Sequence, residues 1–109
     1  MSAPAEVATV RIPVATLPRP GLLRLELGEK VLCLAHTESG GWYTVDDTCT
    51  HEDCSLSAGA LEGEAVECPC HGSCFDLATG DVLNLPAVLP LQTYPTLREH
   101  DEVVIEVER

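Results

Sequence analysis

Two short stretches, Cys49-Thr50-His51 and Cys68-Pro69-Cys70-His71, each place a thiolate and an imidazole within one turn of chain. Sixteen residues lie between His51 and Cys68, enough for two loops to fold back and face each other. In that arrangement Cys49 and Cys68 can meet on one iron and His51 and His71 on a second. Exchanging two anionic thiolates for neutral imidazoles makes such a site less negative, so it accepts an electron more readily than an all-cysteine cluster. The imidazoles also put a polar ring edge at the surface, and electrons are expected to enter and leave through His51 and His71. Zinc accepts the same four donors in a tetrahedron. Zinc fingers usually draw both cysteines from one turn and both histidines from a following helix, whereas each loop here supplies one of each. A structural zinc module that mediates protein contact stays open as an alternative, as do unliganded buried thiols and histidines.

The flanking sequence must hold those loops, and it reads as all-β. Val7 to Val14 is rich in β-branched residues, and Pro13 within it predicts an edge strand or strand end. After the turn signal Leu17-Pro18-Arg19-Pro20-Gly21, Leu23, Leu25 and Leu27 alternate with Arg24 and Glu26. Gly28-Glu29 turns that strand into a second, Lys30 to Ala35, to make a hairpin. Ser39-Gly40-Gly41 leads into a short strand, Trp42 to Val45, which delivers the chain to Cys49. From Cys49 to Gly80 cysteine, histidine, glycine and acidic residues dominate, with short strand-like pieces at Ala65 to Glu67 and Cys74 to Leu77. Pro86, Pro90 and Pro95 punctuate the next, apolar stretch of chain, which leads to a terminal pair of strands at Leu91 to Arg98 and Val103 to Val107, turning at His100-Asp101. Val103, Ile105 and Val107 alternate onto one face. No long helical period and no internal repeat is present.

At 109 residues the chain is sized for a single domain, and no Gly-x-Gly-x-x-Gly follows a strand, which excludes a dinucleotide unit. Aromatics are 4% of residues, so the core is expected to be built mainly from Val, Leu and Ala. The net charge of −12 argues against nucleic acid and anionic membranes, both of which need a positive footprint, and favours basic protein partners. No window approaches the roughly 18 apolar residues that span a bilayer. The expected location is the cytoplasm, where six cysteines point to metal ligands ahead of a disulfide framework.

The pattern Cys-x-His followed by Cys-x-x-His resembles that of the Rieske iron-sulfur proteins. The likeness runs through Cys49-Thr50-His51-Glu52-Asp53 and Cys68-Pro69-Cys70-His71-Gly72-Ser73, then Phe75-Asp76 and Thr79-Gly80. It implies a Rieske fold: a basal antiparallel β-sandwich or barrel from residues 1–45 and 82–109, with an inserted cluster-binding lobe at about 46–81. It also implies one 2Fe-2S cluster per chain on Cys49, His51, Cys68 and His71. Short soluble members of the family are ferredoxin components of bacterial ring-hydroxylating dioxygenase systems. That resemblance implies an electron-transfer protein and not an enzyme, one that serves aromatic catabolism by taking single electrons from a flavin-dependent reductase to a terminal oxygenase. Both partners would dock near His51 and His71. Membrane-bound relatives carry an anchor and oxygenase subunits a large catalytic domain, and the expectation is that this chain has neither. A redox or iron-sulfur sensor is the rival function.

The chain departs from the ferredoxin pattern at several positions. Cys54 and Cys70 sit where membrane-complex relatives carry a disulfide joining the two cluster loops, while a reducing cytosol argues for thiols. Ser73 matches a serine that donates toward a cluster sulfur in high-potential members, and Phe75 stands where those members have tyrosine. One donor kept and one lost implies an intermediate potential. Glu52, Asp53, Glu62, Glu64 and Glu67 read either as a partner-facing surface or as a solvated one. Cys33 and Cys74 read as small core residues, and His36 and His100 lack ligand spacing. Leu85 to Pro90 matches by position a loop that covers the cluster in Rieske proteins.

Overall fold

The structure is a computed structural model that describes residues 7–50, 53–70, 72–85 and 87–108. Among the described residues ten strands form three antiparallel sheets. The first sheet has the order β1-β10-β9, from β1 (Val7–Pro13), β9 (Thr96–Glu99) and β10 (Glu102–Glu108). As Pro13 requires, β1 is an edge strand, because a residue without an N–H cannot serve two neighbours. Val103, Ile105 and Val107 of β10 are buried while Glu106 is exposed, which matches the alternation in the sequence.

The second sheet has the order β2-β3-β4-β8, from β2 (Gly21–Leu27), β3 (Lys30–His36), β4 (Trp42–Asp46) and β8 (Thr93–Tyr94). The expected hairpin is present, with Leu25 opposite Leu32 and Leu23 opposite Leu34. Central strand β3 is the most deeply buried, and Leu32, Leu34, Leu17 and the inner face of β10 make one apolar core. The third sheet, β5-β6-β7, comprises Ala60–Glu62, Ala65–Glu67 and Cys74–Asp76. A second core lies between it and β3 and β4. It joins Cys33, Val45, Leu56, Val66, Phe75 and Leu77 to Cys49 and Cys68.

Three sequence expectations are corrected. Leu91 to Arg98 is two strands, because Pro95 interrupts the ladder and sends Thr93–Tyr94 to β4 and Thr96–Glu99 to β10. β5 was not legible: Ala60, Leu61 and Glu62 have little strand preference of their own and are held by pairing with β6. Cys74 is half-buried, not a core residue, with its Sγ 3.9 Å from the Glu67 carboxylate.

Cys33 is fully buried as expected. Burial first, and the Asp47 carboxylate second, push its thiol up to about 12. Folding therefore holds this proton, so the associated stability is complete below pH 9.0 and is lost as pH climbs toward about 12. In folded protein at about pH 8.5, where an ordinary thiol is half ionised, Cys33 is expected to resist iodoacetamide. It should be alkylated only after denaturation, as peptide mass spectrometry would read; rapid labelling of the native protein would contradict its burial.

Candidate metal centre

Strand β4 ends at Asp46, and the next residues begin the first candidate ligand loop. Its neck is zipped by backbone bonds. Leu56 N–H donates to the Asp47 carbonyl (2.6 Å), Thr48 bridges Ser55, and Cys49 N–H donates to the Cys54 carbonyl (2.9 Å). A 3-10 turn at Leu56–Ala58 then carries the chain into β5. The second loop joins β6 to β7. There Cys68 N–H donates to the Ser73 carbonyl (2.7 Å), and Gly72 N–H returns to the Cys68 carbonyl (3.1 Å). Gly72 has φ +74°, a left-handed conformation that favours glycine at this tight return.

The two candidate thiol donors are both buried. Cys49 is 3% exposed and Cys68 1% exposed, both in the same apolar core. His51, Glu52 and His71 lie outside the described residues, so the imidazole half of the set rests on the sequence. Cys54 and Cys70 are joined in a disulfide across 16 residues, which ties one loop to the other. The Sγ atoms of Cys54, Cys68 and Cys70 lie within 4.8 Å of one another. Two of those sulfurs are bonded to each other, so Cys68 holds the free thiol of that group. Buried thiol donors on two closed, cross-linked loops fit an iron-sulfur cluster.

A third segment packs against both loops. The Thr50 hydroxyl donates to the Leu89 carbonyl (2.7 Å), and Ala87 N–H donates to the Ser73 hydroxyl oxygen (3.0 Å). Cys74 N–H donates to the Asn84 side-chain oxygen (2.6 Å), and Leu83 N–H to the Cys74 carbonyl (2.8 Å). Ser73 is fully buried, and because its oxygen accepts from Ala87 its own hydrogen stays available to a sulfur acceptor. Phe75 is fully buried beside Cys49 and Cys68 in the core and offers no donor. Asp76 caps the following turn through Ala78 N–H (2.9 Å) and Thr79 N–H (3.1 Å).

Two surface features escaped the sequence reading. Ala87 is buried, but Leu83, Leu85, Val88 and Leu89 around it are exposed, Leu85 and Val88 each at 73%. Four large apolar side chains from one hydrogen-bonded segment are more than scattered surface hydrophobes. Charge is also segregated: residues 46–81 hold nine carboxylates, and no Lys or Arg occurs from Val31 to Leu97. Both signals were in the sequence, as an uncharged run over residues 82–97 and as the absence of basic residues; exposure of the leucines was not.

Histidines outside the motifs have other partners. His36 Nδ1 lies 2.8 Å from the Leu17 carbonyl, and its ring stacks on Trp42 with centroids 3.6 Å apart. His100 sits in the β9–β10 turn with φ 54°.

Two cross-linked loops with buried cysteines beside antiparallel β-sheets define the class, and the chain belongs to the Rieske iron-sulfur family: the Rieske [2Fe-2S] domain matches residues 8–95. Its cofactor is a 2Fe-2S cluster, which sets the zinc reading aside. Among its relatives, the 3-phenylpropionate/cinnamic acid dioxygenase ferredoxin subunit of Shigella flexneri serotype 5b (strain 8401) is 41% identical over 96 residues, covering 87% of this chain and 89% of the relative. In solved structures, Sphingomonas yanoikuyae B1 ferredoxin matches with TM-score 0.82 and 29% identity, over 92% of this chain and 99% of that one. A chain in the complex of reduced oxygenase and oxidized ferredoxin in carbazole 1,9a-dioxygenase matches with TM-score 0.80 and 29% identity, over 88% and 99%. Among the described residues no helix is long and apolar enough to cross a membrane.

Proposed function

We propose that this chain carries single electrons from a flavin-dependent ferredoxin reductase to a terminal aromatic-ring-hydroxylating oxygenase in the cytoplasm. Cys49 and Cys68 hold the inner iron, His51 and His71 the outer one, and both partners dock near the two histidines. The lobe that does this spans about residues 46–81, and residues 1–45 and 82–109 form its base. When bound, the cluster supplies a one-electron redox couple. The chain's own residues bury the sulfur side, exclude water from it and leave the histidine side facing the partner. The carrying observation is the joint placement of buried Cys49 and Cys68 on cross-linked loops beside an exposed apolar segment. Relatives named as dioxygenase ferredoxin subunits support the same role.

Reconstitution tests this reading. With NADH, a flavin reductase and a ring-hydroxylating oxygenase, substrate turnover should require this protein, and its reduced form should be reoxidised by the oxygenase. Reduction that no oxygenase reverses would end the carrier assignment. The Cys54–Cys70 bond supports a second reading, a redox sensor that responds when the bridge opens. A carrier keeps its transfer competence with the bridge open, whereas a sensor changes state.

The exposed leucines and the acidic lobe give the docking surface distinct parts. Apolar contact supplies affinity, and the carboxylates attract a basic rim and speed encounter. Replacing Leu85 and Val88 by Ser should raise the half-saturating concentration in the coupled assay by about 10-fold per side chain, from roughly 1.5 kcal/mol of lost burial each. The reduction potential should not move. Glu62→Gln with Glu67→Gln should instead flatten the salt dependence of the rate. Saturation behaviour unchanged by the double Ser variant would show that docking occurs elsewhere.

A further inference from the structure

Asp47 is 2% exposed, and electron carriage as described makes no use of it. Among the described residues no cation pairs with it; Lys30, which precedes its backbone partner Val31 on β3, places its ammonium over the Tyr94 ring instead. A carboxylate removed from water without a countercharge is costly unless hydrogen bonds compensate it. Here they do. The Ser55 hydroxyl donates to Oδ2, and Ser57 N–H donates to Oδ1 at 2.8 Å. The backbone of the same residue is equally committed: its N–H donates to the Val31 carbonyl of β3 (3.0 Å), and its carbonyl accepts from Leu56 N–H (2.6 Å).

These four bonds share one geometric consequence. They fasten the residue before the first ligand loop both to the central strand of the base and to the three residues that follow the loop. The chain between them, residues 48–54, carries Cys49, His51 and the disulfide partner Cys54. Ser55, at the N-terminus of the 3-10 turn, makes no capping bond of its own, and the Oδ1 bond to Ser57 N–H supplies that cap from across the loop. Backbone pairing alone would zip the neck; the side chain adds the lateral constraint.

We propose that Asp47 is a positioning residue for the cluster, its carboxylate fixing the first ligand loop against β3 and β4 and so the place where Cys49 presents its sulfur. The inference rests on Cys49 being a ligand. Bonds around a metal site that orient its ligands affect metal retention about as strongly as modest changes to the ligands themselves. Asparagine retains an oxygen for Ser57 N–H, and Ser55 can turn to accept from its amide; alanine retains neither bond.

The test compares wild type, Asp47→Asn, Asp47→Ala and Ser55→Ala as holoproteins. EPR of the reduced wild type first establishes the mixed-ligand cluster; its failure would overturn the ligand assignment and the Asp47 proposal with it, whereas a failure confined to the variants overturns the Asp47 proposal alone. Asp47→Ala should lose its cluster to a ferrous chelator roughly 10-fold faster and show altered g anisotropy. Ser55→Ala should move the same way by less, and Asp47→Asn should restore the wild-type line shape. If Asp47→Ala yields no folded protein, Ser55→Ala and Asp47→Asn carry the comparison. A purely structural residue would lower the unfolding temperature and leave the spectrum of the surviving holoprotein as in wild type. That outcome, or an Asn variant no better than Ala, overturns the proposal.

Discussion

Cys68→Ser should purify colourless, with iron and acid-labile sulfide near zero, while Cys33→Ser and Cys74→Ser keep a full cluster. Six cysteines are present, but the structure gives them different work. Cys54 and Cys70 are spent on each other, Cys33 is buried within β3, and Cys74 sits half-exposed on β7 beside Glu67. Cys68 has its backbone fixed on both sides, by Ser73 and Gly72, and its side chain inside the apolar core. A serine there keeps the turn but loses the soft thiolate that iron-sulfur ligation demands. Cluster ligation is part of folding free energy in small metal-organised lobes, so the variant should also unfold at lower temperature. Iron and sulfide analysis beside visible absorption reads the first effect, and calorimetry the second. A Cys68→Ser protein with full iron would remove this residue from the ligand set.

Removing the Cys54–Cys70 bridge should have the next largest effect. The bond closes a span of 16 residues, and the chain-entropy relation for a loop of that size gives about 3 kcal/mol. With a urea slope near 1.5 kcal/mol per molar, the midpoint of a Cys54→Ala, Cys70→Ala double variant should fall by about 2 M. The bridge joins one ligand loop directly to the other, so its loss should also speed cluster loss. Urea titration of wild type with and without reductant should reproduce the shift seen in the variant. Equal midpoints in all three would mean that the backbone zippers already hold the loops and that the bridge constrains nothing.

What was legible in the sequence was local. The ligand pattern rests on spacings of one and two residues, and β10 on a strict alternation from Val103 to Val107, so neither needed tertiary information. The β2–β3 hairpin was readable because Gly28 marks its turn between two apolar runs. Features set by long-range packing were not readable. Thr93–Tyr94 and Thr96–Glu99 belong to different sheets, and only their partners 48 or more residues distant, or across the final turn, decide that; the Tyr94 hydroxyl bonds Asp46 and Thr96 bonds Thr44. Nothing local separates Leu85, Val88 and Leu89, which face outward, from Ala87, which is buried. Asp47 looked like one more acid in an acidic stretch, and its neighbour Asp46 is indeed half-exposed. Its burial comes from the return of Ser55 and Ser57 onto the end of β4.

The carrier proposal depends on two imidazoles and two thiolates sharing one iron pair. Pulsed EPR of the dithionite-reduced protein reads this directly, since nitrogen on the histidine-bound iron couples to the unpaired electron. Couplings from two distinct imidazole nitrogens are predicted, with one lost in His51→Ser and the other in His71→Ser if any cluster survives. A reduced spectrum without nitrogen coupling, or couplings untouched by both substitutions, would contradict the ligand assignment and the route by which electrons leave.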